Sequence, residues 1–192
     1  RTTTQLVGVT LENGKYSFDY TLFDRWVEIC NRSGVKYFEI SHLFTQWGAL
    51  HAPKIMATVD GEYKRIFGWE TDSVSEEYVT FIRTFLKDFT AYIEKKGLKD
   101  RTYFHISDEP NEKHLERYMA NRGNIVDLVE GFKSLDALSH VEFFQKGLID
   151  TPVPSESKIE DFMKEDIAER WVYYCCGPWT KASNRFFCQS AP

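Results

Sequence analysis

Thr102-Tyr103-Phe104-His105-Ile106-Ser107-Asp108-Glu109-Pro110 is an apolar, β-branched and aromatic run that stops at two adjacent carboxylates. Tyr103, Phe104 and Ile106 suit a pleated, half-buried surface. Pro110 has no ladder donor and turns Glu109 away from helical angles, so the strand is expected to end at or just before the carboxylates. From Asn111 to Ala120, Glu112, His114, Leu115, Tyr118 and Met119 follow at helical spacing. The order is strand, acidic loop, helix. Parallel sheets and barrels wound from such units bind ligands at the carboxyl ends of their strands, and an acidic pair there is a candidate site. A structural reading stands beside the catalytic one, because Asp caps helices and Glu is favoured in a first turn. Adjacency favours chemistry: neighbouring carboxylates repel, one tending to keep a proton that the other gives up.

Upstream, Gln5 to Thr10 and Lys15 to Phe18 flank Asn13-Gly14, and Lys54 to Val59 and Tyr63 to Trp69 flank Asp60-Gly61, which predicts two β-hairpins. A helical stripe of Leu22, Phe23, Trp26, Val27, Ile29 and Cys30 ends near Gly34, with Asp19 or Thr21 as its cap. Val35 to Phe44 reads as a strand whose exit carries His42 and the lip Thr45-Gln46-Trp47-Gly48-Ala49. A Trp leaving a strand end there either stacks on a sugar or closes the core. Glu39, a charge within that strand, calls for a partner that sequence does not name. The longest helix opens at Ser75 and keeps Tyr78, Phe81, Ile82, Phe85, Leu86, Phe89, Tyr92 and Ile93 on one face until Gly97.

Downstream, a short helix from Ile125 leads to a strand at Phe132 to Leu138, with Asp136 near its end. A helix around Val141 to Lys146 precedes Leu148 to Pro154, and Ser157 opens another helix. Arg170-Trp171-Val172-Tyr173-Tyr174-Cys175-Cys176, bounded by Gly177-Pro178, has the pattern of a strand buried on both faces. Alternating strands and helices indicate α/β architecture, and no Gly-rich phosphate loop follows any strand. The expected fold is a partial TIM-barrel-like (β/α) fold with β-hairpin insertions, in a single domain over residues 1–192. Strands near residues 35, 55, 103, 133, 150 and 171 give five or six of the eight a closed barrel needs.

Composition narrows the function classes. In 192 residues the formal charge is −5, and no run of Lys and Arg offers a basic patch, so neither nucleic acid nor an anionic membrane is an expected partner. No stretch approaches the ~20 apolar residues of a bilayer span. Arg1-Thr2-Thr3-Thr4 opens no signal peptide, and the chain begins as if in mid-sequence, which leaves a cytoplasmic or a secreted protein open. Cys30, Cys175, Cys176 and Cys188 lack metal-ligand spacing, so neither a zinc site nor any cofactor is expected. A metal shared by His105, Asp108 and Glu109 is awkward, since strand alternation puts His105 and Asp108 on opposite faces.

His105 to Pro110, together with Tyr37 to Ala49 upstream and with Trp171 to Pro178 and Asn184-Arg185-Phe186 downstream, resembles the catalytic domain of glycoside hydrolase family 123 and its uncharacterised bacterial relatives. The resemblance spans nearly the whole chain. It implies a TIM-barrel-like glycosidase related to β-N-acetylgalactosaminidases, working with substrate assistance. Glu109 would be the general acid, and Asp108 would orient the substrate's 2-acetamido group, whose carbonyl oxygen attacks the anomeric carbon in place of a second enzyme carboxylate. His42, Trp47, His105, Asp136, Tyr174, Trp179, Asn184 and Arg185 are the candidate sugar-binding residues. Family members run on past the Asn-Arg-Phe motif into further strands, so an open barrel is expected here, prone to associate through its edges. The alternative is a carbohydrate-binding or inactive fragment, in which the same aromatic and polar residues hold sugar without turning it over.

Overall fold

The structure, a computed structural model, describes residues 4–45 and 48–173. Asn13-Gly14 closes β1 (Gly8–Glu12) on β2 (Lys15–Asp19). With φ of 50° and 73° the turn has both central residues left-handed, the type whose twist matches that of the strands. In α1 (Thr21–Arg32) the exposed carboxylate of Asp19 accepts the Thr21 amide at 3.0 Å, and the helix runs out into Gly34 at φ 80°. β3 (Phe38–Ile40) follows, and then Asp60-Gly61 folds β4 (Ile55–Val59) onto β5 (Glu62–Phe67). Ser75 caps α2 (Glu76–Lys95), accepting the Tyr78 amide at 3.4 Å. Thereafter come β6 (Thr102–Phe104), α3 (Leu115–Gly123), α4 (Val126–Val129), β7 (Lys133–Ala137), α5 (Glu142–Gln145), β8 (Thr151–Val153) and α6 (Ile159–Phe162).

The strands sort into two sheets. The hairpins join edge to edge as β2-β1-β4-β5, with β1 and β4 parallel through Thr10 and Leu11. The second sheet is parallel throughout, and its order β3-β6-β7-β8 is also the sequence order. Each crossover therefore adds a strand on the same side, without the reversal of a doubly wound sheet. Tyr173 continues the series: its amide donates to the Pro154 carbonyl at 3.0 Å and its carbonyl accepts the Glu156 amide at 3.1 Å, a parallel bridge beside β8.

Several expectations are corrected. The predicted strand near residue 55 pairs in the hairpin sheet, leaving four parallel strands and the bridge at Tyr173. No closed barrel forms among the described residues. The strand predicted from Val35 to Phe44 is regular only over β3, because the Leu43 and Phe44 amides donate to the carbonyls of His105 and Ile106, past the end of the β6 ladder. Trp171 and Val172 are 36% and 53% exposed, so the start of the last apolar run is not buried on both faces.

What joins the sheets is the aromatic face of α2. Phe81 meets Tyr16 and Phe67 of the hairpin sheet, both at ring centroid distances of 5.1 Å. One turn on, Phe85 sits against Phe18 at 5.4 Å, and Phe89 reaches Phe104 of β6 at 6.3 Å and Phe23 of α1 at 5.3 Å. Tyr78, fully buried, donates its hydroxyl to the Leu43 carbonyl at 2.5 Å and so pins the exit of β3. Trp26 of α1 packs on Phe38 of β3 at 5.1 Å. Among the described residues no helix is long and apolar enough to cross a membrane.

Phe89 is the residue through which α2 holds α1 and β6 together, so Phe89→Ala should destabilise the chain by about 3–5 kcal/mol in chemical denaturation. Tyr63→Ala, at a position 67% exposed, should stay within about 0.5 kcal/mol of the parent.

Candidate active site

Side chains from successive parallel strands meet at their carboxyl ends. Glu39 lies opposite Tyr103 in the β3–β6 register, and His105 follows directly after the end of β6. His105 Nδ1 is 2.6 Å from Glu39 Oε1, which supplies the partner that the charge in β3 calls for. On its other side His105 Nε2 stands 3.4 Å from Asp136 Oδ1. The His42 ring crosses that of His105 nearly at right angles, with centroids 5.6 Å apart.

Asp136 decides how β6 ends. Its carboxylate is buried and accepts the Ile106 amide at 2.8 Å, the Ser107 amide at 3.4 Å and the hydroxyl of Tyr118 from α3. The strand therefore stops at Phe104, sooner than expected, because the next amides are claimed by a side chain rather than by a neighbouring strand. Burial pushes the Asp136 carboxyl from an ordinary 3.8 up to about 7, against the opposing pull of the His105 charge and of its three donors. Burial works to lower His105, but the Glu39 hydrogen bond and the charges of Asp136, Glu39 and Asp108 outweigh it and leave the imidazole above its ordinary value. His42 moves the other way, through burial and then repulsion from His105. The bond to His105 holds Glu39 below the usual carboxylate range.

Above this layer the chain turns outward. Glu109 is exposed and sits at φ 49°, a left-handed conformation that an L residue adopts at a cost of roughly 1–2 kcal/mol. Its amide donates to the Ala137 carbonyl at 2.9 Å, tying the turn to the end of β7. Its Oε1 accepts the Tyr173 hydroxyl at 3.2 Å, so the strand bridged to β8 also reaches the acid pair. Asp108, half-buried, lies close enough for its charge to act on both His42 and His105. The alternation that would separate His105 from Asp108 does not apply, since regular strand ends at Phe104.

The lip after β3 is fastened to the same loop. Ser107 Oγ donates to the Thr45 carbonyl at 2.9 Å, and that carbonyl also takes the Ala49 amide at 3.1 Å. Asn121 of α3 donates to the Ala49 carbonyl at 2.6 Å. Gly48, at φ 131°, lies so near His114 that a Cβ there would come within 2.8 Å of the ring.

Of the sequence candidates, Glu39, His42, His105, Asp108, Glu109 and Asp136 come together. His105 and Asp136 are only 6% and 1% exposed, which places them beneath the site rather than on its surface. Trp47, Tyr174, Trp179, Asn184 and Arg185 lie outside the described residues. Tyr118 and Tyr173 were not singled out by sequence; each belongs to an apolar run, and a Tyr hydroxyl that needs a partner was the signal available. His105, Asp108 and Glu109 do not form a cluster tight enough for a metal. Among the described residues Glu112, His140 and Glu142 do bring ligand atoms within 4.8 Å of one another.

The catalytic-domain model of glycoside hydrolase 123 matches residues 1–192. The fold is similar to that of a family 123 glycoside hydrolase from Clostridium perfringens, known from a structural study of glycolipid glycan hydrolysis, with a TM-score of 0.57 and 19% identity. The alignment covers 80% of this chain and 27% of that one, so the chain spans about a quarter of the length of its neighbour. No curated protein matches this chain.

The site makes stability depend on pH with a definite sign. His105, raised on folding, contributes stability that is fully present below its ordinary value of 6.5 and lost as pH rises through the raised one. Asp136 supports the same sign, because its burial favours keeping a proton between its carboxyl and the imidazole. Melting temperature should accordingly fall as pH rises from 6.5 through the raised value of His105, and Asp136→Asn should flatten that slope in calorimetry.

Proposed function

The chain belongs to the glycoside hydrolase 123 catalytic-domain family, and from that premise we propose that it carries the acid centre of a retaining, substrate-assisted glycosidase acting on β-linked N-acetylhexosamine, with N-acetylgalactosamine favoured. The observation that carries this reading is the Asp108-Glu109 turn. It lies at the carboxyl end of the parallel sheet, with Glu109 exposed and bonded to Tyr173, and Asp108 half-buried beside two histidines.

In this reading the substrate's acetamido carbonyl oxygen attacks the anomeric carbon while Glu109 protonates the departing glycosidic oxygen. The attack forms the C–O bond of an oxazolinium ring as the glycosidic bond breaks. Asp108 accepts a hydrogen bond from the acetamido N–H and offsets the positive charge that the ring acquires. Glu109, now a carboxylate, then takes a proton from the water that opens the ring, and two inversions give net retention. His42, Trp47, Tyr174, Trp179, Asn184 and Arg185 are proposed to form the sugar-binding surface. The sheet β3-β6-β7-β8 with Tyr173 is read as five successive strands of a TIM-barrel-like (β/α) fold. Its edge at β3 would pair with a further segment or a second copy, since unpaired strand edges seek partners.

The test is hydrolysis of aryl and alkyl β-N-acetylgalactosaminides and glucosaminides by the parent, Glu109→Gln and Asp108→Asn. Glu109→Gln should cost about 10²-fold or more on an alkyl glycoside and less on the nitrophenyl one, whose leaving group needs little proton assistance. Asp108→Asn should slow both alike. Full turnover by Glu109→Gln on every glycoside would overturn the assignment. Binding of N-acetylgalactosamine, followed by Trp fluorescence, with no turnover by the parent would instead indicate a carbohydrate-binding fragment.

A further inference from the structure

Glu39, His105 and Asp136 form a row beside the acid pair, with His105 and Asp136 buried and Glu39 exposed, and the proposed chemistry assigns no step to any of them. His105 Nδ1 is engaged with Glu39 at 2.6 Å. Its Nε2 is buried, lacks any hydrogen-bond partner, and faces Asp136 Oδ1 at 3.4 Å. A neutral ring bonded to Glu39 through Nδ1–H would leave its Nε2 lone pair 3.4 Å from a carboxylate oxygen, so one proton belongs on this pair, on Nε2 or on Oδ1. The same Oδ1 accepts the Ile106 and Ser107 amides at 2.8 and 3.4 Å. Where that proton resides thus sets the charge on the oxygen that holds the two peptides leading into Asp108 and Glu109, and charged acceptors hold amides more strongly than neutral ones.

We infer that His105 is a positioning residue: bridging Glu39 and Asp136, it governs how firmly Asp136 grips the backbone at Ile106 and Ser107 and so aims the Asp108-Glu109 pair. The inference rests on the acid-pair reading above and adds to it a residue that never touches substrate. Groups facing the imidazole come from every element around it. Glu39 approaches from β3, His42 from the segment after it, Asp136 from β7 and Asp108 from the loop itself, while Tyr118 of α3 holds the far oxygen of Asp136. When His105 loses its positive charge, Glu39, Asp108 and Asp136 lose their shared counterion, and Asp136 Oδ1 loses the proton set between it and the ring, so its hold on the two amides changes while the fold stays intact.

Nuclear magnetic resonance on the full chain, labelled at the backbone nitrogens and the histidine rings, tests this with or without turnover. The Ile106 and Ser107 amides should shift with pH at the midpoint of the His105 ring. Glu39→Gln should lower that midpoint by about one pH unit or more and carry both amides with it. Asp136→Asn should uncouple the amides while His105 still titrates. Amides that ignore the His105 midpoint, or a midpoint unmoved by Glu39→Gln, would overturn the inference. On any glycoside whose turnover depends on Glu109, Glu39→Gln should lower kcat by about tenfold at nearly constant KM and move the basic limb of the pH profile toward acid, with Glu39→Asp restoring part of the loss. A loss of the same size at every pH would signal a packing defect and overturn it too. Should Glu109→Gln prove fully active, the acid-pair reading falls, while the resonance measurement still decides whether His105 sets the loop.

Discussion

A carboxylate taken out of water must be met by donors, and the way Asp136 satisfies that requirement shapes the site. It draws two backbone amides away from the strand ladder and a hydroxyl out of α3, and in doing so converts the end of a strand into a turn. The outward course of Asp108 and Glu109 follows from that diversion. So does the attachment of the β3 lip, since Ser107 is placed to hold Thr45 only because its own amide is held from below. The buried polar layer and the apolar face of α2 share the work: α2 fixes where β3 and β6 lie, and Asp136 fixes where β6 stops.

Much of the scaffold was legible in the sequence because its signals are local. Asn13-Gly14 and Asp60-Gly61 demand left-handed backbone at both central positions, which leaves little but a tight hairpin. Ser75, Gly97 and the apolar stripe between them define α2 from propensity and period alone. Partner choice was not legible. The β-prone run at Ile55–Val59 pairs with β5 as its own turn dictates, but nothing local announces that it also pairs in parallel with β1, joining the two hairpins into one sheet. The end of β6 was hidden for a similar reason, since the group that takes its amides lies 30 residues away.

The candidate site divides along the same line. Asp108 and Glu109 stand out because adjacent acids ending a strand are a local pattern, whereas the bond between Glu39 and His105 spans 66 residues and leaves no trace in spacing. Sequence reading marked Glu39 as a charge in want of a partner and His105 as a histidine next to the site, without joining them. Tyr173 was absorbed into an apolar run, although its hydroxyl reaches the Glu109 carboxylate.

The close approach of Gly48 to His114 ties two loops that are distant in sequence. A lineage that replaces this glycine with a larger residue must first open space at position 114 and give up the backbone angle at position 48, two changes that are each unfavourable alone. The glycine and the histidine are thus expected to vary together across related sequences, and the lip that carries Trp47 to evolve in length and composition only beyond that fixed point.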